Sequence, residues 1–183
     1  RLSIHLVNAI LIISMLFWLI KNTLIEKNKI FFKYSKKNLP FQFLILLILL
    51  QIILGAFVSG LDAGKIYQTW PMMGGNYVPD DLFLKNLKDT FNFDNHSLVQ
   101  FYHRNLAYLI IFYVIILSII IFIKRMSNLY KPLKILLFFL FLQVLLGIYT
   151  LLSGLNIYLA SLHQVTSVLL IFSALNLYFL RVN

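Results

Sequence analysis

Three histidines in this chain sit where their chemistry would matter most. They are His5 in RLSIHLVNAI, His103 in VQFYHRNLAY and His163 in LASLHQVTSV. Each lies about five residues inside the start of an apolar run long enough to cross a bilayer. An ionisable or metal-binding side chain in such a run is costly to insert, which makes it a functional candidate. Neutral imidazole inside a helix bundle is also a common axial ligand of heme iron. The competing reading is a membrane histidine that only hydrogen-bonds a neighbouring helix. A fourth histidine, His96 in the polar run NFDNHSL, reads as a solvated loop residue. The chain has no cysteine, so its own residues can build no disulfide, iron–sulfur cluster or thiolate site.

The elements that carry these residues follow from composition. The chain is 61% hydrophobic with a mean hydropathy of +0.87, well above a soluble domain. Apolar runs cover roughly Leu2–Ile20, Phe41–Leu61, Leu98–Ile123, Leu133–Leu155 and Ile157–Leu180. Each reaches the ~20 residues that a spanning helix needs. The expected fold class is therefore all-α: a polytopic membrane protein with five transmembrane helices, four of them forming a heme-binding bundle. The chain opens on Arg1 and runs directly into an apolar segment, without the cleavage pattern of a signal peptide. It reads as a sequence whose natural N-terminus lies further upstream.

The net charge of +10 is a topology signal. Lys21, Lys27, Lys29, Lys33, Lys36 and Lys37 crowd the first connection, Lys124, Arg125, Lys131 and Lys134 the third, and Arg181 closes the last helix. Glu26 is the one acid on that side. On the other side, Arg1, Lys65, Lys85, Lys88 and Arg104 balance Asp62, Asp80, Asp81, Asp89 and Asp94. Basic short loops stay in the cytoplasm. The expectation is an N-terminus outside, a C-terminus inside, and residues 62–97 as an external loop. All three histidine helices then start outside, with the imidazoles roughly 6–9 Å below the helix start. The basic excess does not point to nucleic acid; its natural partner is the membrane lipid surface.

An internal repeat organises the chain. QIILGAFVSGL (Gln51–Leu61) and QVLLGIYTLLSGL (Gln143–Leu155) share Gln, Leu-Gly and Ser-Gly-Leu. Each is followed by a histidine helix, with His103-Arg104 and then His163-Gln164. Two such units predict a four-helix bundle with a pseudo-two-fold axis along the membrane normal. Taken singly, Gly55 and Gly147 read as ordinary close-packing residues. The connection is nearly absent in the second copy and about 36 residues long in the first, which suggests a functional loop. Tyr67, Trp70 and Tyr77 suit an interface, Pro71, Gly74, Gly75 and Pro79 suit turns, and residues 82–93 weakly suggest a short interfacial helix.

His103 and His163 form the strongest pair, at equal depth in equivalent helices. Their helices, Leu98–Ile123 and Ile157–Leu180, are expected to be adjacent, with the imidazoles facing one another. Ala107, Ala160 and Ser161 would make room for a porphyrin edge. Arg104 would pair with a heme propionate, or else snorkel to the interface. Gln164 would hydrogen-bond a propionate or a loop carbonyl. His5 has no partner here. Its helix, residues 1–20, reads as the last of a preceding, incomplete bundle, followed by a basic loop over 21–40 and the four-helix bundle over 41–183. The uncovered face of that first helix would carry Asn8, Ala9 and Ile12.

The segments GAFVSGLDAGKIYQTWPMMGGNYVPDDL, LVQFYHRNLAY and LASLHQVTSVLL closely resemble heme A synthase. The similarity runs from Arg1 to the C-terminus and includes an AGxxYxTWPxMxG loop of specific spacing. That family has two four-helix bundles, each with a histidine pair, and this chain looks like helices four to eight of an alphaproteobacterial or mitochondrial-type member. The resemblance implies that His103 and His163 are axial ligands of a heme b, and that His5 is a catalytic histidine of the substrate-binding bundle. It implies heme O as substrate, oxidised at a methyl group to the formyl group of heme A with water-derived oxygen. Heme b would carry electrons away. Heme O synthase and cytochrome oxidase assembly factors would be partners, in the bacterial inner membrane. Because the first three helices lie outside this sequence, the chain alone is expected to be inactive. Two other classes compete: a di-heme cytochrome b-like electron carrier without heme-modifying activity, and a transporter or assembly factor whose histidines relay protons. A long TWP-containing loop is not needed by the carrier.

Overall fold

The computed structural model describes residues 2–26, 28–31, 33, 35–82 and 89–182. Among them, five helices are long and apolar enough to span a membrane. They are α1 (Leu2–Leu24), α2 (Leu39–Gly60), α3 (His96–Ile123), α4 (Tyr130–Leu152) and α5 (Ile157–Arg181).

Local chemistry sets the ends. The α3 helix starts at His96 rather than Leu98, because the Asn95 side chain accepts the Leu98 amide at 3.1 Å. His96 is thus the exposed first residue of a helix, not a loop residue. The α5 helix opens the same way: Asn156 Oδ1 accepts from the amides of Tyr158 and Leu159 at 3.0 and 3.4 Å. Both histidine helices are therefore started by an asparagine cap. Pro40 and Pro132 lie in the first turns of α2 and α4, where a missing N–H costs nothing. The α4 helix stops before Gly154, whose φ of 70° a side chain would disfavour.

Packing order follows from which helices share seams. The pairs α2/α3 and α4/α5 each pack closely, and α3/α4 and α2/α5 close the ring. The histidine helices α3 and α5 are consequently diagonal across the bundle and share no extended seam, correcting the expectation that they are neighbours. Each hairpin pairs a Gln-Gly helix with its own histidine helix, and the hairpins meet through α3/α4 and α2/α5, which puts the histidine helices across from one another. Outside the ring, α1 packs on α2 and α5.

The apolar core occupies the half of the bundle remote from the histidines. Leu44, Ile48, Leu117, Ile121, Leu133, Leu136, Ile171, Leu175 and Tyr178 are all essentially buried there. Trp18 docks α1 onto this end, with its ring 5.4 Å from Tyr178 and 5.0 Å from Phe179. Lys29 reaches the same end and donates to the carbonyls of Phe179 and Val182, closing the C-terminus of α5. No residue of α5 from Ile157 to Val165 is buried. The expected helix over 82–93 falls largely on residues outside the described ones; its described end is a single 3₁₀ turn, Asp89–Phe91.

Candidate functional site

The two halves of the repeat build the same cradle twice. Gln51 and Gly55 lie one turn apart on α2, so they share a face. The Gln51 amide donates to the His103 carbonyl at 3.0 Å. A Cβ on Gly55 would stand 3.1 Å from His103 Cε1. On α4, Gln143 donates to the His163 carbonyl at 2.7 Å, and a Cβ on Gly147 would stand 3.1 Å from His163 Cε1. Each glutamine thus ties down the backbone of a histidine, and each glycine admits the edge of its imidazole. The two imidazoles stand at the same end of the bundle, on diagonal helices. Both are half-buried.

The copies differ in what else the glutamine touches. The Gln51 amide nitrogen also lies 3.1 Å from Nδ1 and 3.3 Å from Nε2 of His103. The Gln143 amide instead donates to Thr166 Oγ1 at 2.7 Å. His163 Nδ1 and Gln51 Oε1 are buried without a hydrogen-bond partner.

A polar stripe on α3 clasps the long loop. Ser97, Gln100, Arg104 and Tyr108 recur every three or four residues and so face one way. Arg104 Nη1 donates to the carbonyls of Thr69 and Met72 at 2.8 and 3.3 Å, and Nη2 to that of Tyr67 at 2.8 Å. Gln100 shares the Tyr67 carbonyl at 2.9 Å, and Trp70 Nε1 donates to Tyr108 Oη at 3.1 Å. Asp81 accepts from Tyr67 Oη and Ser97 Oγ, both at 2.6 Å. Burial pushes the Asp81 carboxyl up, but these two hydrogen bonds outweigh it and hold the group below its usual range. The same contact raises the Tyr67 phenol, first through its hydrogen bond to Asp81 and then through burial.

Of the residues singled out from sequence, His103 and His163 are brought to one site. Arg104 stands beside it, with its Nη donors engaged by loop carbonyls. Gln164 is exposed, and its carbonyl accepts from Ser167 Oγ at 2.6 Å. Ala107 and Ala160 are half-buried and Ser161 is exposed. His5 is exposed at the far end of α1, as are Asn8, Ala9 and Ile12. The amides of Gln51 and Gln143 and the hydroxyl of Thr166 did not stand out beforehand as positioning groups. Their signal was present, as polar residues one turn from a glycine or a histidine on an otherwise apolar face.

The residues fit a heme held by two imidazoles. The two imidazoles come from diagonal helices, the glycines give each ring its seat, and His163 Nδ1 is buried unpartnered. Among the described residues no three of His, Asp and Glu converge.

Residues 1–175 match the family model COX15-CtaA, described as cytochrome oxidase assembly protein. A heme A synthase of Pelagibacter ubique is 46% identical over 178 residues, covering 94% of this chain and 50% of the relative. One from Wolbachia pipientis wMel is 40% identical, covering 98% and 49%, and one from Rickettsia rickettsii is 36% identical, covering 98% and 54%. The chain spans about half the length of these curated relatives. With a family match across nearly its whole length, a duplicated histidine cradle and five spanning helices, the chain belongs to the COX15-CtaA family of cytochrome oxidase assembly proteins.

Proposed function

We propose that this chain is the heme b-binding portion of a heme A synthase, an oxidoreductase that converts a methyl group of heme O to the formyl group of heme A. The observation that carries the reading is the repeated cradle, with Gln51, Gly55 and His103 matched by Gln143, Gly147 and His163. His103 and His163 would hold the iron axially, and the bound heme would supply one-electron transfer away from the substrate.

The protein's own contribution is placement. Gln51 and Gln143 hold the ligand-bearing backbones at fixed height. Gly55 and Gly147 let the imidazoles lie against α2 and α4. Arg104 would pin the loop over this end of the bundle and present any remaining donor capacity to a propionate, while Gln164 would offer a second polar contact. His5 would serve the substrate side, on a helix that flanks the bundle. The basic segments around Lys21–Lys37 and Lys124–Lys134 support a cytoplasmic position for that end of the bundle in a bacterial plasma membrane, with the histidines near the outer face.

The test is optical and chemical. The membrane-extracted chain should bind one heme per chain with a low-spin reduced-minus-oxidised spectrum, and His103→Ala or His163→Ala should each abolish it. Unchanged low-spin spectra in both variants would refute the site. Fused behind the N-terminal half of the Pelagibacter relative, the chain should make heme A; a fusion that binds heme b yet yields no heme A would favour an electron carrier.

A further inference from the structure

We propose that the connection over 66–79 is seated in the membrane interface as a collar on α3. It covers polar side chains on the outer face of that helix and turns an apolar surface to the lipid of the leaflet on the histidine side. This seating requires only the five spanning helices, and no heme at His103 or His163.

Helix α3 creates the need. Its buried residues Ile110, Val114, Leu117 and Ile121 mark the face turned to the bundle. Gln100, Arg104, Asn105 and Tyr108 centre roughly a third of a turn round from that face. Polar groups left against lipid are costly. The loop takes each of them up. Arg104 donates to the carbonyls of Tyr67, Thr69 and Met72, and Gln100 shares the first of these. Trp70 Nε1 donates to Tyr108 Oη at 3.1 Å, and Tyr77 Oη donates to Asn105 Oδ1. The loop also serves its own backbone. Thr69 Oγ1 donates to the Met72 carbonyl at 2.8 Å and accepts the Gly74 amide at 2.9 Å, and the Met73 amide donates to the Asn76 carbonyl at 2.8 Å. Backbone without regular structure can approach hydrocarbon only with its polar groups satisfied by protein.

Depth follows from length. Helix α3 has 28 residues, which makes it about 42 Å long by its rise per residue. Lys124 and Arg125 fix its inner end, so the about 20 residues that hydrocarbon can hold reach back from Ile123 to Arg104. Side chains on a helix lean toward its start, which brings the Tyr108 hydroxyl, and Trp70 with it, up to that boundary. Trp70, Met72, Tyr77 and Val78 are all exposed on the loop. Residues 66–79 contain no charged residue, while Lys65 and Asp80 flank them. Tryptophan and tyrosine are favoured at this level of a bilayer. Tyr67 turns away from it, to Asp81, which in turn meets Ser97 at the start of α3. Helix α1 packs on α2 and α5 and so leaves this side of α3 to lipid.

The chain has two tryptophans and no cysteine, which allows two independent probes. Trp18→Phe leaves Trp70 as the reporter. Reconstituted in vesicles of phosphatidylcholine brominated in the upper acyl chain, this variant should lose most of the emission it shows in unbrominated vesicles, and dissolved acrylamide should quench it weakly. Separately, Met72→Cys should react with a membrane-impermeant maleimide about tenfold more slowly than Asp94→Cys, because apolar surroundings suppress the thiolate. Asp94 is exposed in the same connection, beyond the charge-free stretch. The cysteine variants keep Trp18, so they decide the matter if Trp18→Phe does not fold. Strong acrylamide quenching without lipid quenching, or equal labelling of the two cysteines, would place the loop in water and overturn the proposal. Slow labelling without lipid quenching would overturn it too, by showing that protein rather than lipid covers the patch.

Discussion

Gly55 on α2 and His103 on α3 are in contact, with the imidazole Cε1 3.1 Å from where a Cβ would stand. Alanine is the better helix former by about 1 kcal/mol, so packing rather than propensity accounts for the glycine. Gly147 stands in the same relation to His163.

Gly55→Ala and Gly147→Ala should therefore loosen the heme without unfolding the helices. A Cβ at either position would stand 3.1 Å from the imidazole, so each ring must give by a few tenths of an ångström. The expected result is unchanged helicity, with a several-fold faster loss of bound heme. Circular dichroism and the decay of the low-spin spectrum measure the two separately, and wild-type retention in both variants would contradict the seat.

Arg104→Leu should release the loop. Three carbonyls lose a charged donor at once, and hydrogen bonds of that kind contribute about 1.5–3 kcal/mol each when well shielded; at this partly exposed site roughly 1–2 kcal/mol in total is expected. Hydrogen exchange across 67–73 should accelerate about tenfold or more, while α2 and α3 stay protected. Slow exchange in the variant would show that other contacts hold the loop.

The clasp between Asp81, Tyr67 and Ser97 should depend on pH in a defined window. The folded Asp81 pKa is lowered, so its contribution is present above the ordinary carboxylate range near pH 4 and disappears as pH falls through the folded value. The Tyr67 pKa is raised, so its contribution is present below about pH 10 and disappears as pH rises through the folded value. Tryptophan fluorescence from Trp70 should be flat between these limits and change outside them. In Asp81→Asn the acid transition should vanish; an acid transition that persists would place its origin elsewhere.

His5→Ala should separate the substrate side from heme b. In the fusion behind the Pelagibacter N-terminal half, the variant is expected to bind heme b at His103 and His163 with an unaltered spectrum and to form little or no heme A. His5 is exposed on α1, so its removal disturbs no core contact. Full heme A production would exclude a catalytic role.

Much of this protein was written in one dimension. Hydropathy located the five helices to within a few residues, because a spanning helix must be apolar along its whole length. Counting placed His103 about five residues inside its helix, but it stands seven after the first residue because the Asn95 cap starts α3 at His96. The repeat of Gln, Gly and His announced two equivalent hairpins. Tertiary structure decided what counting cannot reach. Nearly uniform apolar helices carry little information about which face meets which neighbour, so the diagonal placement of α3 and α5 emerged only from hairpin packing. Arg104 was read as a ligand for propionate because its charge was visible and its partners were not. Those partners are backbone carbonyls at Tyr67, Thr69 and Met72, groups that every residue possesses and no sequence distinguishes. The two glutamines likewise differ in whether the amide meets a ring or a threonine hydroxyl, a choice made by side-chain geometry within a few ångströms.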